Sequence, residues 1–411
     1  MLHRFQQIYR PVSARRQGVP LRCMFVITSM PVGGAETLLV NLMRRMNPAN
    51  VIPEVVCLKE AGPLGDQIAS EFKVHTNLLA GKYDPRVLPR LAHLMHRRGV
   101  DVIVTVGAGD KMFWGRLAAK LAGVPVITSA LHSTGWPDGV GRLNRQLTGI
   151  TDGFIAVADS HGEFMTSFEG FPAEKVHVIR NGVDCERFVP SSTAGQSLRQ
   201  ELDIPAEAPI VGLVAALRSE KNHTMLLETA ALIRDQNPHS RLAQTHWVLI
   251  GDGPERAGIE KRRDELKLGN HVHLLGTRHD TPKLVAGLDV FALTSLNEAS
   301  PVSILEALAC GVPVVATDVG SISESVLEGR TGHLVASEDV PAMAHAVSSL
   351  LGDPTSARQM GQIGRQHVLA TGSLDSMVRG YESLVTALYD AKVDRVNAKS
   401  AAVAKVSSET P

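Results

Sequence analysis

A short apolar run, then a turn, then a helical pattern: this unit recurs along the whole chain, and it leaves few folds open. In the first half the apolar runs are residues 21–28, 51–58, 101–106, 124–130, 153–158 and 175–179. Helical periodicity covers 37–46, 85–98 and 110–122, the first with Leu38, Leu39, Leu42 and Met46 on its inner face. Runs that stay apolar along their length suit strands covered on both faces. Strands separated by helices pair in parallel. After residues 190–197, where Pro, Ser, Thr and Gly gather as in a linker, the alternation restarts. It runs through 210–217, 221–235, 246–250, 254–267, 272–275, 280–286, 289–294, 301–309, 312–317 and 332–335. Helices over 341–351, 354–369 and 374 to about 392 close it. The expected fold class is α/β, with two doubly wound Rossmann-like domains.

At 411 residues the chain is long for one core, which agrees with two domains. The expected boundaries are a basic N-terminal arm at 1–20, a first domain at 21–190, a second at 198–372 and a flexible tail at 393–411. Ligands of such sheets bind beyond the carboxyl ends of the strands, so two domains facing across a cleft would place a reaction centre between them.

Composition excludes several classes. Lys plus Arg and Asp plus Glu number 42 each, so no global charge points to nucleic acid. Cys23, Cys57, Cys185 and Cys310 are scattered, as buried thiols of a reducing compartment are. No apolar stretch reaches the length of a membrane span, and the first twenty residues lack a secretory core. Those residues carry Arg4, Arg10, Arg15 and Arg16 without an acid. They read as a loosely ordered arm, with a peripheral membrane contact as the second reading. The expected location is cytoplasmic, or peripheral at the inner membrane face.

The densest chemistry lies in residues 295–317. An apolar strand pattern leads into a loop bearing Glu298. Pro301 then suits the first position of a helix, where its missing N–H costs nothing. The amides of Val302 and Ser303 would be left facing outward, a natural anion site. Glu306 lies inside that helix, eight residues after Glu298. A helix N-terminus for phosphate, flanked by two carboxylates, suits a ligand with negative charge and hydroxyls, and a nucleotide sugar has both. Arg218 and Lys221, three apart at a strand exit, are able to converge on a diphosphate, although for the motif alone a solvated charged loop is the slightly better reading. Gly33-Gly34-Ala35-Glu36 lets backbone approach a ligand closely, or is simply a turn. Gly107-x-Gly109 and Gly251-x-Gly253 are tight strand-to-helix turns that lack the full dinucleotide fingerprint. His132 stands at a strand's carboxyl end, and Asn181-Gly182 marks a turn at the end of the first half.

Taken together and in this order, these elements resemble the retaining glycosyltransferases of family 4, whose architecture is called GT-B. The likeness spans roughly residues 22–389. It includes the Gly33-Gly34 loop, His132, Asn181-Gly182-Val183-Asp184, Arg218 with Lys221, Gly251-Asp252-Gly253-Pro254, and Glu298-x7-Glu306 running into Gly311-x-Pro313. The resemblance implies that Arg218 and Lys221 hold the donor diphosphate, that Glu306 accepts from the ribose hydroxyls, and that Glu298 binds the donor sugar. It implies that Gly33 and Gly34 bring backbone to the diphosphate, that His132 contacts the sugar, and that backbone near Arg278 meets the base. Pro301 and Val302 then border the phosphates, and the final helix, 374–392, completes the first domain. No metal and no cofactor are expected, since cationic side chains and helix dipoles replace a divalent ion. The expected partners are a UDP- or GDP-sugar donor and a sugar, lipid-linked or polysaccharide acceptor. Ala299 stands where many members carry glycine, and residues 133–139 match no acceptor signature. Two rival readings keep the fold: a non-catalytic nucleotide-sugar-binding subunit, and a nucleotide-sugar epimerase, which would release little free nucleoside diphosphate. A nicotinamide dehydrogenase is disfavoured by the missing fingerprint.

Overall fold

The computed structural model describes residues 19–79, 84–132 and 144–408. All but the last two residues of the basic arm, the segment 133–139 after His132, and the last three residues of the chain lie outside these. The chain divides into two compact units, Met1–Ile179 with Met377–Pro411, and Arg180–Ser376.

The first unit runs β1 Leu21–Ile27, α1 Gly34–Arg45, β2 Val51–Cys57, α2 Gly62–Ile68, β3 Val74–His75, α3 Val87–Arg98, β4 Val102–Val106, α4 Asp110–Ala122, β5 Val126–Ala130, β6 Gly153–Ala156, α5 Asp159–Ser167 and β7 Val176–Val178. Among the described residues its sheet has seven strands in the order β3-β2-β1-β4-β5-β6-β7. Every pairing is parallel. Strands such as β4, Val-Ile-Val-Thr-Val, are buried throughout because helices cover both faces. The strand order reverses between β1 and β4, so the loops leaving these two strands part and open a crevice at their carboxyl ends.

The second unit runs α6 Ala194–Glu201, β8 Ile210–Val214, α7 His223–Gln236, β9 His246–Ile250, α8 Arg256–Glu265, β10 Val272–Leu274, α9 Thr281–Ala286, β11 Val290–Leu293, α10 Val302–Ala309, β12 Val314–Thr317, α11 Ile322–Ser325, β13 Gly332–Val335, α12 Val340–Gly352 and α13 Pro354–Thr371. Its described sheet is also parallel, in the order β10-β9-β8-β11-β12-β13, with the reversal between β8 and β11. The side chains of Trp247, Phe291, Leu249 and Val315 are buried in its core.

Three expectations are corrected. Residues 190–197 are no free linker: the division falls between Ile179 and Arg180, and α6 begins at Ala194. The segment is fixed within the second unit because Val183 bridges Ser373, Arg365 donates to the Phe188 carbonyl at 3.1 Å, and Arg199 pairs with Asp289 at 2.8 Å. Small polar residues here serve turns; the Ser191 hydroxyl accepts from the Ala194 amide. Nor does the last helix stop near residue 392. As α14 it runs from Leu374 to Ser408, through the expected tail, because Ala, Lys and Arg favour helix and no Gly or Pro follows Gly380 to break it. Within the first unit it is tied down by Glu382, which accepts from the Asn47 amide at 2.6 Å, and by Lys392 paired with Asp152 at 2.7 Å. The third correction, at Pro301, belongs to the site.

Candidate active site

In the second unit, the loops leaving β8 and β11 meet where the strand order reverses. Backbone and side-chain bonds lock them together. The Leu296 amide donates to the Glu220 carbonyl at 2.8 Å, and the Thr294 hydroxyl donates to the carbonyls of Lys221 and Asn222 at 3.1 and 3.0 Å. This register brings Lys221 Nζ to within 2.5 Å of Glu298 Oε1, and the Ser295 hydroxyl donates to the same oxygen at 2.7 Å. Glu298 is only 9% exposed, so its charge is held by two donors rather than by water. The loop is braced from behind. A Cβ on Gly320, whose φ is +59°, would sit 1.6 Å from the Glu298 carbonyl oxygen, so glycine alone fits there. The Ser321 hydroxyl donates to the Ala299 carbonyl, and Asn181 Nδ2 donates to the Ser300 carbonyl at 3.0 Å. Ala299 is buried and is not among the residues of positive φ, so its methyl costs the turn nothing.

Pro301 is one position earlier than expected. With φ −73° and ψ 114° it is the extended N-cap of α10, and its carbonyl accepts the first intrahelical bond, from Ile304 at 3.3 Å. The helix starts at Val302. The amides of Val302 and Ser303 have no hydrogen-bond partner among the described residues, so the anion-binding end remains open. Burial pushes the Glu306 carboxyl up to about 7, with the Arg187 guanidinium pulling the other way. Glu306 therefore sits where a hydroxyl-bearing ligand, or a change of pH, decides its charge.

The remaining cations are not gathered on one point. Arg218 is largely exposed, with only a distant 3.9 Å contact to Glu220. The side chain of Arg278 is fully engaged, at 2.6 Å with Asp280 and 2.5 Å with Glu201, which raises its pKa further above the usual range.

In the first unit the corresponding edge carries Gly33 and Gly34 after β1, and His132 after β5. Gly33 is the extended N-cap of α1, and a Cβ there would meet the Glu36 carboxylate at 2.5 Å. Around Gly34 a Cβ would meet nothing within 4 Å, so no contact inside the protein requires glycine there. His132 shares an apolar hollow with Phe25, Ala35, Leu38, Val106 and Tyr381. Burial lowers it to about 4, aided by His161 and Lys111, so it is a neutral imidazole near pH 7.

Several residues here carry no sequence signal that marks them in advance. Ser295, Arg187, Lys111 and His161 sit in ordinary loops and helix turns. Gly320 is legible only as a glycine following a strand. Among the described residues no cluster of His, Cys, Asp and Glu is arranged to hold a metal, and no helix is long and apolar enough to cross a membrane.

Two family profiles match the chain: Glycosyltransferase Family 4 over residues 32–187, and Glycosyl transferases group 1 over residues 196–367. The chain is 30% identical over 319 residues to the putative glycosyltransferase EpsF of Bacillus subtilis, covering 75% of this chain and 81% of that one. It is 27% identical over 315 residues to an Escherichia coli UDP-Gal:alpha-D-GlcNAc-diphosphoundecaprenol alpha-1,3-galactosyltransferase, covering 73% and 80%. Its fold is that of Anabaena HepE, solved with UDP and glucose, at a TM-score of 0.77 and 23% identity over 89% of this chain and 99% of that one.

Proposed function

The chain belongs to glycosyltransferase family 4, and from that premise we propose that it moves a sugar from a nucleotide-sugar donor to an acceptor hydroxyl, with retention at the anomeric carbon and without a metal. The observation that carries the proposal is the cluster at the switch point of the second sheet. Glu298 is bonded to both Lys221 and Ser295, and the open N-terminus of α10 and Glu306 belong to the same strand–loop–helix unit as Glu298. Such an arrangement offers a cation and amides to a diphosphate, one carboxylate to a ribose and another to a sugar.

Without donor, Lys221 and Glu298 neutralise each other. On binding, the ammonium turns to the diphosphate, where Arg218 joins it from its exposed position. Glu298 is then released to accept hydrogen bonds from sugar hydroxyls. The bond from the anomeric carbon to the diphosphate oxygen breaks, and the acceptor oxygen bonds to the same face of that carbon. The acceptor proton passes to the departing diphosphate oxygen, so no dedicated carboxylate base is required. Lys221 and Arg218 stabilise the charge that develops on the leaving group, a contribution on the order of 3 kcal/mol for one well-placed donor. From the first unit, Gly33 and Gly34 bring backbone to the diphosphate, and neutral His132 hydrogen-bonds the donor sugar. The backbone near Arg278 meets the base.

The E. coli relative acts on a lipid-linked sugar, and the HepE structure holds UDP. With a relative of Mycolicibacterium smegmatis that is named GDP-mannose-dependent, these support a UDP- or GDP-sugar donor and a lipid-linked or polysaccharide acceptor. Release of nucleoside diphosphate from a panel of UDP- and GDP-sugars, measured for Glu298→Gln, Lys221→Ala and His132→Ala, tests the assignments. We expect each to lose at least about 100-fold in turnover. Near wild-type rates in all three would refute them.

A further inference from the structure

The first unit buries an arginine that the proposed reaction does not use. Arg116, on α4, has no exposed surface, and among the described residues no carboxylate pairs with it. Burial pulls its guanidinium down to about 9. A buried charge without a counter-ion is costly, and an apolar residue of similar size would often serve stability as well. Each of its three nitrogens nevertheless donates, and four of the five N–H groups are directed. Nε donates to the Met112 carbonyl at 3.0 Å and Nη1 to the Thr151 hydroxyl at 2.9 Å. Nη2 donates to the Asn144 carbonyl at 2.9 Å and to Asn144 Oδ1 at 2.5 Å. The Phe154 ring lies 5.8 Å from the guanidinium carbon.

Asn144, also fully buried, is where the network leaves α4. Arginine offers only donors, so the amide oxygen must face it, and this fixes which way the amide points. The NH2 group is thereby turned to the Gly109 carbonyl, to which it donates at 3.2 Å. Gly109 belongs to the turn between β4 and α4, at the reversal of the first sheet. In that turn the Lys111 stem folds back over Gly107, where a Cβ would sit 2.8 Å from Lys111 Cε. Lys111 from α4 and His161 from α5 are the titratable groups that act on His132.

We propose that Arg116 and Asn144 are positioning residues for the sugar transfer: a buried clamp that holds the Gly107–Lys111 turn in register at the carboxyl edge of the first sheet, where His132 lies. The inference rests on the function proposed above for its catalytic consequence, but not for the clamp itself.

Asn144→Asp separates the two halves of the clamp. An aspartate still accepts from Arg116 and supplies the missing counter-charge, yet it has nothing to donate to Gly109. Three measurements on the full chain follow: thermal unfolding, amide hydrogen exchange across residues 107–112, and UDP affinity with turnover of the nucleotide sugar that wild type uses fastest. We expect Asn144→Asp to unfold no earlier than wild type. Exchange in the turn should rise about ten-fold or more, UDP affinity should stay within about two-fold, and turnover should fall at least about ten-fold. Arg116→Met, which frees Asn144 to flip, should give the same exchange signature. Unchanged exchange in Asn144→Asp would overturn the clamp, whatever the chemistry of the enzyme. Raised exchange with unchanged turnover would overturn its role in the transfer. A wild type that neither binds UDP nor turns over any donor would instead count against the proposed function, and the exchange result would still decide the clamp.

Discussion

Glu306 and Glu298 are both carboxylates on one strand–loop–helix unit, yet their surroundings give them different electrostatics. Glu298 keeps Lys221 and Ser295 as donors, whereas Glu306 is pushed by burial to about 7. If Glu306 accepts from ribose hydroxyls, nucleotide binds best to its ionised form and displaces a proton. UDP affinity should then fall about ten-fold between pH 8 and pH 6, the effect of one group titrating near 7. Calorimetric titration should show this for wild type, and a flatter profile for Glu306→Gln. Equal slopes for both would remove Glu306 from the binding step. Gly320 is the other informative position. Alanine there combines a left-handed φ with a Cβ inside the Glu298 carbonyl oxygen, so Gly320→Ala should cost at least about 2 kcal/mol in urea unfolding.

Among the elements, β9 begins with His246, and the parallel register sets it beside His271 and His273, which flank the first residue of β10. His246 stacks on His271 with ring centroids 4.8 Å apart and on His273 at 5.2 Å, and its Nδ1 lies 2.9 Å from His273 Nε2. Burial lowers His246 to about 4, with His271, His273 and Arg199 acting in the same direction, and His273 is lowered as well. In the unfolded chain these rings titrate near 6.5. The unfolded state therefore takes up more protons below that pH. Stability should hold above about pH 7 and decline as pH falls from 6.5 toward 4. Replacing all three by Gln should flatten the change in urea midpoint between pH 7.5 and pH 5. How much was legible follows from the same register. The long apolar runs and the apolar helix over 302–309 announce themselves by pattern, Glu298 and Lys221 stand out as charges at strand exits, and Glu306 stands out as the one charge within that helix. By contrast α2 and β3 are too short for a periodic signal, and α5 and α6 carry too few apolar residues to show one. Glu54 is opaque for another reason. It interrupts an apolar strand, and only the fold shows Arg98 gripping it with two bonds and His75 with a third. Burial would raise its pKa, yet those hydrogen bonds hold it near 2. Ser295, Arg116 and Asn144 likewise acquire meaning from partners distant in sequence.

Across the whole molecule, two parallel sheets each reverse their strand order once; Lys221 and Glu298 follow the strands of the second reversal, Gly33, Gly34 and Lys111 those of the first, and His132 lies on the same edge after β5. The second sheet supplies cations, open amides and carboxylates, and the first supplies glycine backbone, a neutral imidazole and a braced lysine turn. In this account the chain's own cations, rather than a divalent ion, hold the leaving diphosphate. Nucleoside diphosphate release from the preferred donor, followed with excess EDTA and again with added Mg2+, tests that most directly. The account predicts the same rate, within about two-fold, under both conditions. Turnover abolished by EDTA and restored by Mg2+ would contradict it.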